Sequence, residues 1–253
     1  MTLAAQYIEH LRSPRSNAKA LAEALDVAGL AVEAKLVLAW AVGDELVDDV
    51  SIGAVPPADA ATGSRWFDPC DLAIHVNIEG AWLALHPVAR WQMRGFLAVA
   101  QRESRQVQVA APYVAFDEAR LVPPGDDLAR CTEVTHGEAT VYAWWLRKYL
   151  PHWLDWQTMA EEHPELLARF GLGREWCNGD PNDDGARITI SLSTIDLDAD
   201  ETPEMQRGEF TRDLAIGFRT SVSHQVGLLP NIGSWEQVVE PVKLAALIDR
   251  SRY

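Results

Sequence analysis

Lysine is nearly absent from this chain: 4 lysines stand against 18 arginines and 37 acids in 253 residues, leaving a net charge of −15. No run of bases exceeds Arg147-Lys148, so a phosphate-neutralising surface is missing and a nucleic-acid reader or an anionic membrane binder is disfavoured. Cysteine is also scarce. Cys70, Cys131 and Cys177 are odd in number and widely spaced, which fits reduced thiols rather than a disulfide framework, and no pair has the short spacing of structural zinc. No apolar run approaches the roughly 20 residues of a membrane span, and Met1 to Lys19 lack a secretory apolar core. The expected location is the cytoplasm, and the alanine-rich, arginine-over-lysine composition fits a GC-rich bacterial coding bias.

Motifs of high specificity are missing too. There is no G-x-G-x-x-G turn after a strand, no G-x-x-x-x-G-K-[ST] phosphate loop, no G-x-S-x-G elbow and no recognisable cysteine nucleophile. No internal repeat or low-complexity tract occurs. The sequence names no cofactor.

What is present is ample core material, 48% hydrophobic, and a clear pattern of elements. The first fifty residues read as helix. Ser16 is placed to cap a segment with Ala18, Leu21, Leu25 and Ala28 at helical spacing, and Gly29 to end it. Leu30 to Val42 is apolar nearly all round, which predicts packing on several sides before Gly43 terminates it. Asp48-Asp49 then reads as a solvated turn, and the Pro, Ala, Gly and Thr of 53–64 as a surface loop.

Leu72 to Glu79 alternates strictly, with Leu72, Ile74, Val76 and Ile78 on one face and Ala73, His75, Asn77 and Glu79 on the other, the second expected to be solvated. From Pro87 an amphipathic helix carries Ala89, Met93, Phe96, Leu97 and Ala100. Gln106 to Phe116 suggests two short strands, and Pro123 to Asp126 a turn. Helical spacing returns over Glu138 to Leu150, Pro151 restarts it, and His163-Pro164 begins a short helix through Phe170. Ile188 to Leu192 and Ile216 to Val226 alternate as half-buried strands, and Trp235 to Arg250 reads as a final helix interrupted near Pro241. This irregular order predicts an α+β fold, a mainly antiparallel sheet packed against helices with a helical N-terminal segment. The expected division is 1–55 helical and 65–253 α+β, or one domain over 1–253.

Candidate sites come as constellations. His136-Gly137-Glu138 with His224 offers two imidazoles and a carboxylate for iron or zinc; the competing and preferred reading is a capping box from Thr135 to Glu138. His75, Asn77 and Glu79 offer an acid or base on one sheet face. Asp180-Pro181-Asn182-Asp183-Asp184-Gly185 opens like a calcium loop, but Ser191 stands where the bidentate glutamate belongs, so an Asx turn is preferred. Trp144, Trp145, Trp153 and Trp156 lie just before Glu175 to Asp213, where 11 acids and 3 bases concentrate a net −8 that includes Asp196, Asp198 and Asp200. Tryptophan beside an acidic rim suits a docking site for a protein partner. The leading expectation is therefore a non-catalytic binding or accessory protein that recognises a protein partner through the Trp-rich helices and the acidic segment. The alternative is a metal-dependent enzyme acting on a small molecule through His136, Glu138 and His224.

Overall fold

The computed structural model describes residues 2–102, 126–167, 169–170, 173–178, 187–191, 204–206 and 216–222. Among these are seven helices and ten strands. The order begins α1 (Leu3–Arg12), α2 (Pro14–Val27) and α3 (Ala31–Val42), then β1 (Leu46–Val47), β2 (Val50–Ile52), β3 (Arg65–Asp68), β4 (Ala73–Ile78), β5 (Ala81–Ala84) and α4 (Arg90–Arg102). It continues with α5 (His136–Trp145), α6 (Trp153–Glu162), α7 (Pro164–Leu167), β6 (Arg174–Trp176), β7 (Arg187–Ser191), β8 (Glu204–Gln206), β9 (Ile216–Gly217) and β10 (Ser221–Val222). The fold is α+β, with a helical N-terminus.

The larger sheet has the order β1-β2-β3-β4-β5-β10, antiparallel except for the parallel β2–β3 pair. Both its tight hairpins turn on two residues of positive φ: Asp48 (48°) and Asp49 (63°) between β1 and β2, Glu79 (50°) and Gly80 (91°) between β4 and β5. Two such residues give the left-handed turn that matches strand twist. The Asn77 side chain fixes the second by accepting the Gly80 N–H at 2.6 Å. The smaller sheet, β8-β7-β6-β9, is antiparallel except for β6–β9. Residues 216–222 join the two sheets, with β9 on one and β10 on the other.

The N-terminal helices start earlier than Ser16. Thr2 caps α1 by accepting the Ala5 N–H, and α2 opens at Ser13-Pro14, with proline at a position where its missing N–H is harmless. Leu3, Tyr7, Leu21, Leu25 and Val37 share one buried cluster with Phe67, Ile74 and Trp91, so the helices lie on the larger sheet and on α4. The Tyr7 ring meets Trp91 edge-on at 5.0 Å.

Helix α3 packs through Ala34, Leu36, Val37 and Ala39 and leaves Val32, Leu38 and Val42 exposed, the last at 80%. Three local expectations need correction. The polar face of β4 is not solvated, because His75 and Asn77 are buried against other side chains. Helix α5 stops at Trp145 rather than running to Leu150, since Arg147 turns left-handed (φ 62°) and Tyr149 exchanges backbone hydrogen bonds of 2.9 and 2.7 Å with Ser221. The strand pattern of 216–226 likewise divides into β9 and β10, with both faces buried through Val222. The expected elements at 106–116, the 180–185 loop, residues 223–226 and the 235–250 helix lie outside the described residues.

Gly95 of α4 tests this packing. Alanine in a helix interior normally gains about 1 kcal/mol over glycine, but a Cβ here would lie 2.3 Å from the Tyr7 ring. Overpacking costs about 1–3 kcal/mol, so Gly95→Ala is expected to lower the urea midpoint, and Tyr7→Leu in the same chain to restore part of the loss. A midpoint raised by Gly95→Ala alone would contradict the contact.

Candidate functional site

Two buried ionic clusters organise the centre. The first is built on the β3–β4 connection, Asp68-Pro69-Cys70-Asp71-Leu72. Within it the Asp68 carboxylate accepts the Cys70 N–H at 2.8 Å and the Asp71 carboxylate accepts the Ala73 N–H at 3.1 Å. Helix α1 holds the loop from outside, as the Tyr7 hydroxyl donates to the Cys70 carbonyl at 3.0 Å and the His10 ring contacts the Pro69 carbonyl at 2.8 Å. So positioned, both carboxylates meet Lys148, whose ammonium lies 2.7 Å from Asp68 Oδ2, 2.7 Å from Asp71 Oδ2 and 3.2 Å from His75 Nε2. Trp66 covers it, with Nζ 5.2 Å from the ring centre. Thr220 donates to the same Asp71 oxygen at 3.1 Å.

All these groups are almost wholly buried. Burial alone would lower the Lys148 pKa, but the facing carboxylates outweigh it and hold the ammonium above its ordinary value. His75 goes the other way: burial, then the charge of Lys148, hold its pKa well below 6.5 and keep it neutral. Its Nδ1 lies 3.2 Å from the Ala73 carbonyl, which leaves Nε2 to accept from Lys148. The exposed Cys70 gains no reactivity from this neighbourhood, since the Asp68 carboxylate raises its thiol pKa. Burial pushes Cys131 up to about 12.

The second cluster is Arg219 with Glu175. Arg219 Nε and Nη2 each donate to one Glu175 oxygen at 2.6 Å, and Nη1 donates to the Ala84 and Leu85 carbonyls at 3.0 and 2.9 Å. Trp156 and Phe170 flank the guanidinium, each at 5.1 Å. Arg130 approaches the same Glu175 only to 3.9 Å.

Between the clusters lies a cavity of about 330 Å³ whose wall includes Asp71, Thr220, Trp91, His86, Leu128 and Arg130. A second hollow of about 600 Å³ opens over Gly63, Arg65 and Arg169.

The residues singled out in the sequence divide differently. Thr135 and Glu138 form the capping box, with Thr135 Oγ1 accepting the Glu138 N–H at 3.1 Å and the Glu138 carboxylate accepting the Thr135 N–H at 2.8 Å. His136 begins α5 with its Nε2 3.2 Å from the Cys177 carbonyl. Both side chains therefore serve the helix start and its contact with β6, while His224 lies outside the described residues. Asp196, Asp198 and Asp200 also lie outside them. Trp156 is fully buried as the plate under Arg219; Trp144, Trp145 and Trp153 are half-buried, Trp145 against the core beside Phe96. Glu79 is exposed at its turn, and with Glu162 and His163 it forms the one group of metal-ligand type among the described residues, on the surface. Its His163–Glu79 contact of 3.4 Å is an ordinary surface pair.

Lys148, Arg219 and Arg130 carry the centre and were not singled out by pattern. A faint signal existed for one of them: Arg219 alternates with Gly217 and Ser221, small neighbours that leave room for a large side chain on the same face.

Acid should loosen the first cluster. The unfolded chain protonates His75 near 6.5, whereas the folded chain resists it, so this stability is complete above that pH and is lost as pH falls below it. Asp68, Asp71 and Lys148 are the charged groups facing the ring. Between about pH 7 and pH 5 the urea midpoint of His75→Gln is expected to fall less than that of the wild type. Equal slopes would place the acid sensitivity on His10 and His86, whose pKa values burial also lowers. At neutral pH, Lys148→Met should cost about 3–5 kcal/mol by leaving two carboxylates uncompensated; a loss under about 1 kcal/mol in urea unfolding would show that the cluster is not so tightly held.

No known family model matches the chain, and no curated protein matches it.

Proposed function

We propose that this chain is a non-catalytic accessory protein of the bacterial cytoplasm that recognises a protein partner, with the outer face of α3 as its principal contact. One observation carries the reading: a helix apolar nearly all round is left uncovered along one stripe. Ala31, Lys35, Leu38 and Val42 follow one another at helical spacing and are all exposed. A helix of such composition is ordinarily buried on all sides. Exposed Val27 and Val32 extend the apolar surface at one end, and exposed Leu46 at the other.

The rim supplies the partner's chemistry. Asp44, Glu45, Asp48 and Asp49 are exposed just beyond the end of α3, and the basic residue on the stripe, Lys35, is already paired with Asp48. An apolar surface with a basic edge complements this combination, and attraction between the charges would speed encounter. Half-buried Trp144, Trp145 and Trp153 add aromatic surface elsewhere, and the acidic residues Asp196, Asp198 and Asp200 remain part of the proposed recognition. The metal-enzyme alternative has less support because Glu138 and His136 are engaged at the start of α5.

The test is a paired substitution, Leu38→Glu with Val42→Glu. Unfolding stability should stay within about 0.5 kcal/mol of the wild type, as for other exposed positions. Cross-linked capture from the source cells should lose a stoichiometric partner retained by the wild type. Retention of that partner by the variant would overturn the reading, and a stability loss of several kcal/mol would mean that another part of the same chain covers the stripe.

A further inference from the structure

The cavity beside Arg130 supports a second recognition event, independent of the α3 face. Arg130 is largely buried, its side chain 20% exposed, and among the described residues its Nε and Nη2 have no hydrogen-bond partner. Leaving buried donors of a charged group unsatisfied is costly, and such groups are normally matched by an acceptor, an ion or water. The neighbouring carboxylate does not supply the match, because both Glu175 oxygens are taken at 2.6 Å by Arg219. Two guanidinium groups thus share one carboxylate, and one positive charge is left over beside the cavity.

The guanidinium is held in place. A Cβ on Gly217 would come within 2.1 Å of Arg130 Nε, and one on Gly173 within 1.7 Å of Nη1, so the arginine occupies space that only these two glycines leave. Gly173 is also at φ 147°, where other residues are strained. The remaining wall is mostly apolar, including Leu30, Ile74, Val88 and Trp91. Of its other polar groups, Asp71 is engaged by Lys148, Thr220 and the Ala73 N–H, and Gln92 by the Ala89 N–H and the Asp71 carbonyl, while Glu33 and His86 stand together on the wall as an acid and an imidazole. Lys148, shared at 2.7 Å between Asp71 and Asp68, screens the Asp71 charge in part. The volume of about 330 Å³ is at the small end for a ligand pocket.

We infer that this cavity binds a small monocarboxylate with an apolar body, the carboxylate received by Arg130 and the body by the wall around Trp91 and Val88. Planar pairing with a carboxylate is what a guanidinium fork does best.

The experiment uses the full chain, with phenylacetate, hexanoate and benzoate as probes and neutral phenylacetamide as the control. Titration calorimetry and thermal midpoints should show saturable millimolar or tighter binding of at least one carboxylate and none of the amide. Arg130→Gln should weaken binding by about tenfold or more, with Arg130→Lys between it and the wild type. Leu128→Trp, at a half-exposed wall position, should block binding while leaving unfolding unchanged, and it carries the test if Arg130→Gln does not fold. No carboxylate binding at millimolar concentration, equal binding of the amide, or binding retained in Arg130→Gln or Leu128→Trp would each overturn the inference. None of these outcomes bears on partner capture by α3.

Discussion

All five N–H groups of Arg219 are donated: two to Glu175, one each to the carbonyls of Ala84 and Leu85, and one to Phe170 at 3.4 Å. Taking a guanidinium and a carboxylate out of water costs several kcal/mol each, and only excellent geometry with every donor used offsets it. Here that geometry ties β5, β6 and the end of the α6–α7 pair to the segment that bridges the two sheets. The next residue, Thr220, faces away from Arg219 and reaches Asp71. The short segment between β9 and β10 therefore sets both ionic clusters, and a shift of one residue would exchange their faces and leave both sets of charges unmatched.

The clusters are also complementary in charge. Lys148 faces two carboxylates and a neutral imidazole, a surplus of one negative charge; Arg219 and Arg130 share one carboxylate, a surplus of one positive. Both flank the same cavity. The aromatic residues belong to this arrangement, since Trp66 lies on Lys148 and Trp156 on Arg219. Two of the ten tryptophans thus shield buried cations.

Periodicity made the elements legible and left their depth obscure. Strict alternation over 72–79 marks β4 from sequence alone, and Thr135 with Glu138 marks the start of α5, because both signals are local. Whether His75 meets water depends on Lys148, 73 residues away, and Asn77 is held by the Ala60 carbonyl, 17 residues before it; no local pattern carries either. The early end of α5 has the same cause: Arg147 takes a conformation that its residue type disfavours, and the gain lies in the Tyr149–Ser221 pairing. For helix α3, composition predicts packing on several sides without saying which side stays open; the open one runs along Leu38 and Val42. For the central charges the only local hint was the small-residue alternation around Arg219; Lys148 sits among aromatic residues at a spacing that reads as a continuing helix.

An acid, base or nucleophile needs a free lone pair or a transferable proton within reach of a substrate. The buried groups that look most reactive do not offer one. The three protons of Lys148 are directed at Asp68, Asp71 and His75; both nitrogens of His75 are engaged; both oxygens of Asp71 accept. Among the described residues, unmet capacity remains at buried His10 Nδ1 and the Tyr142 hydroxyl, and at two places of another kind. Arg130 has donors without acceptors, yet a guanidinium does not give up its proton at physiological pH, and the α3 stripe has apolar area without cover. Neither can move a proton or form a bond, and both gain free energy when a complementary surface arrives. Both are therefore places where the proposed recognition events would gain most from each contact.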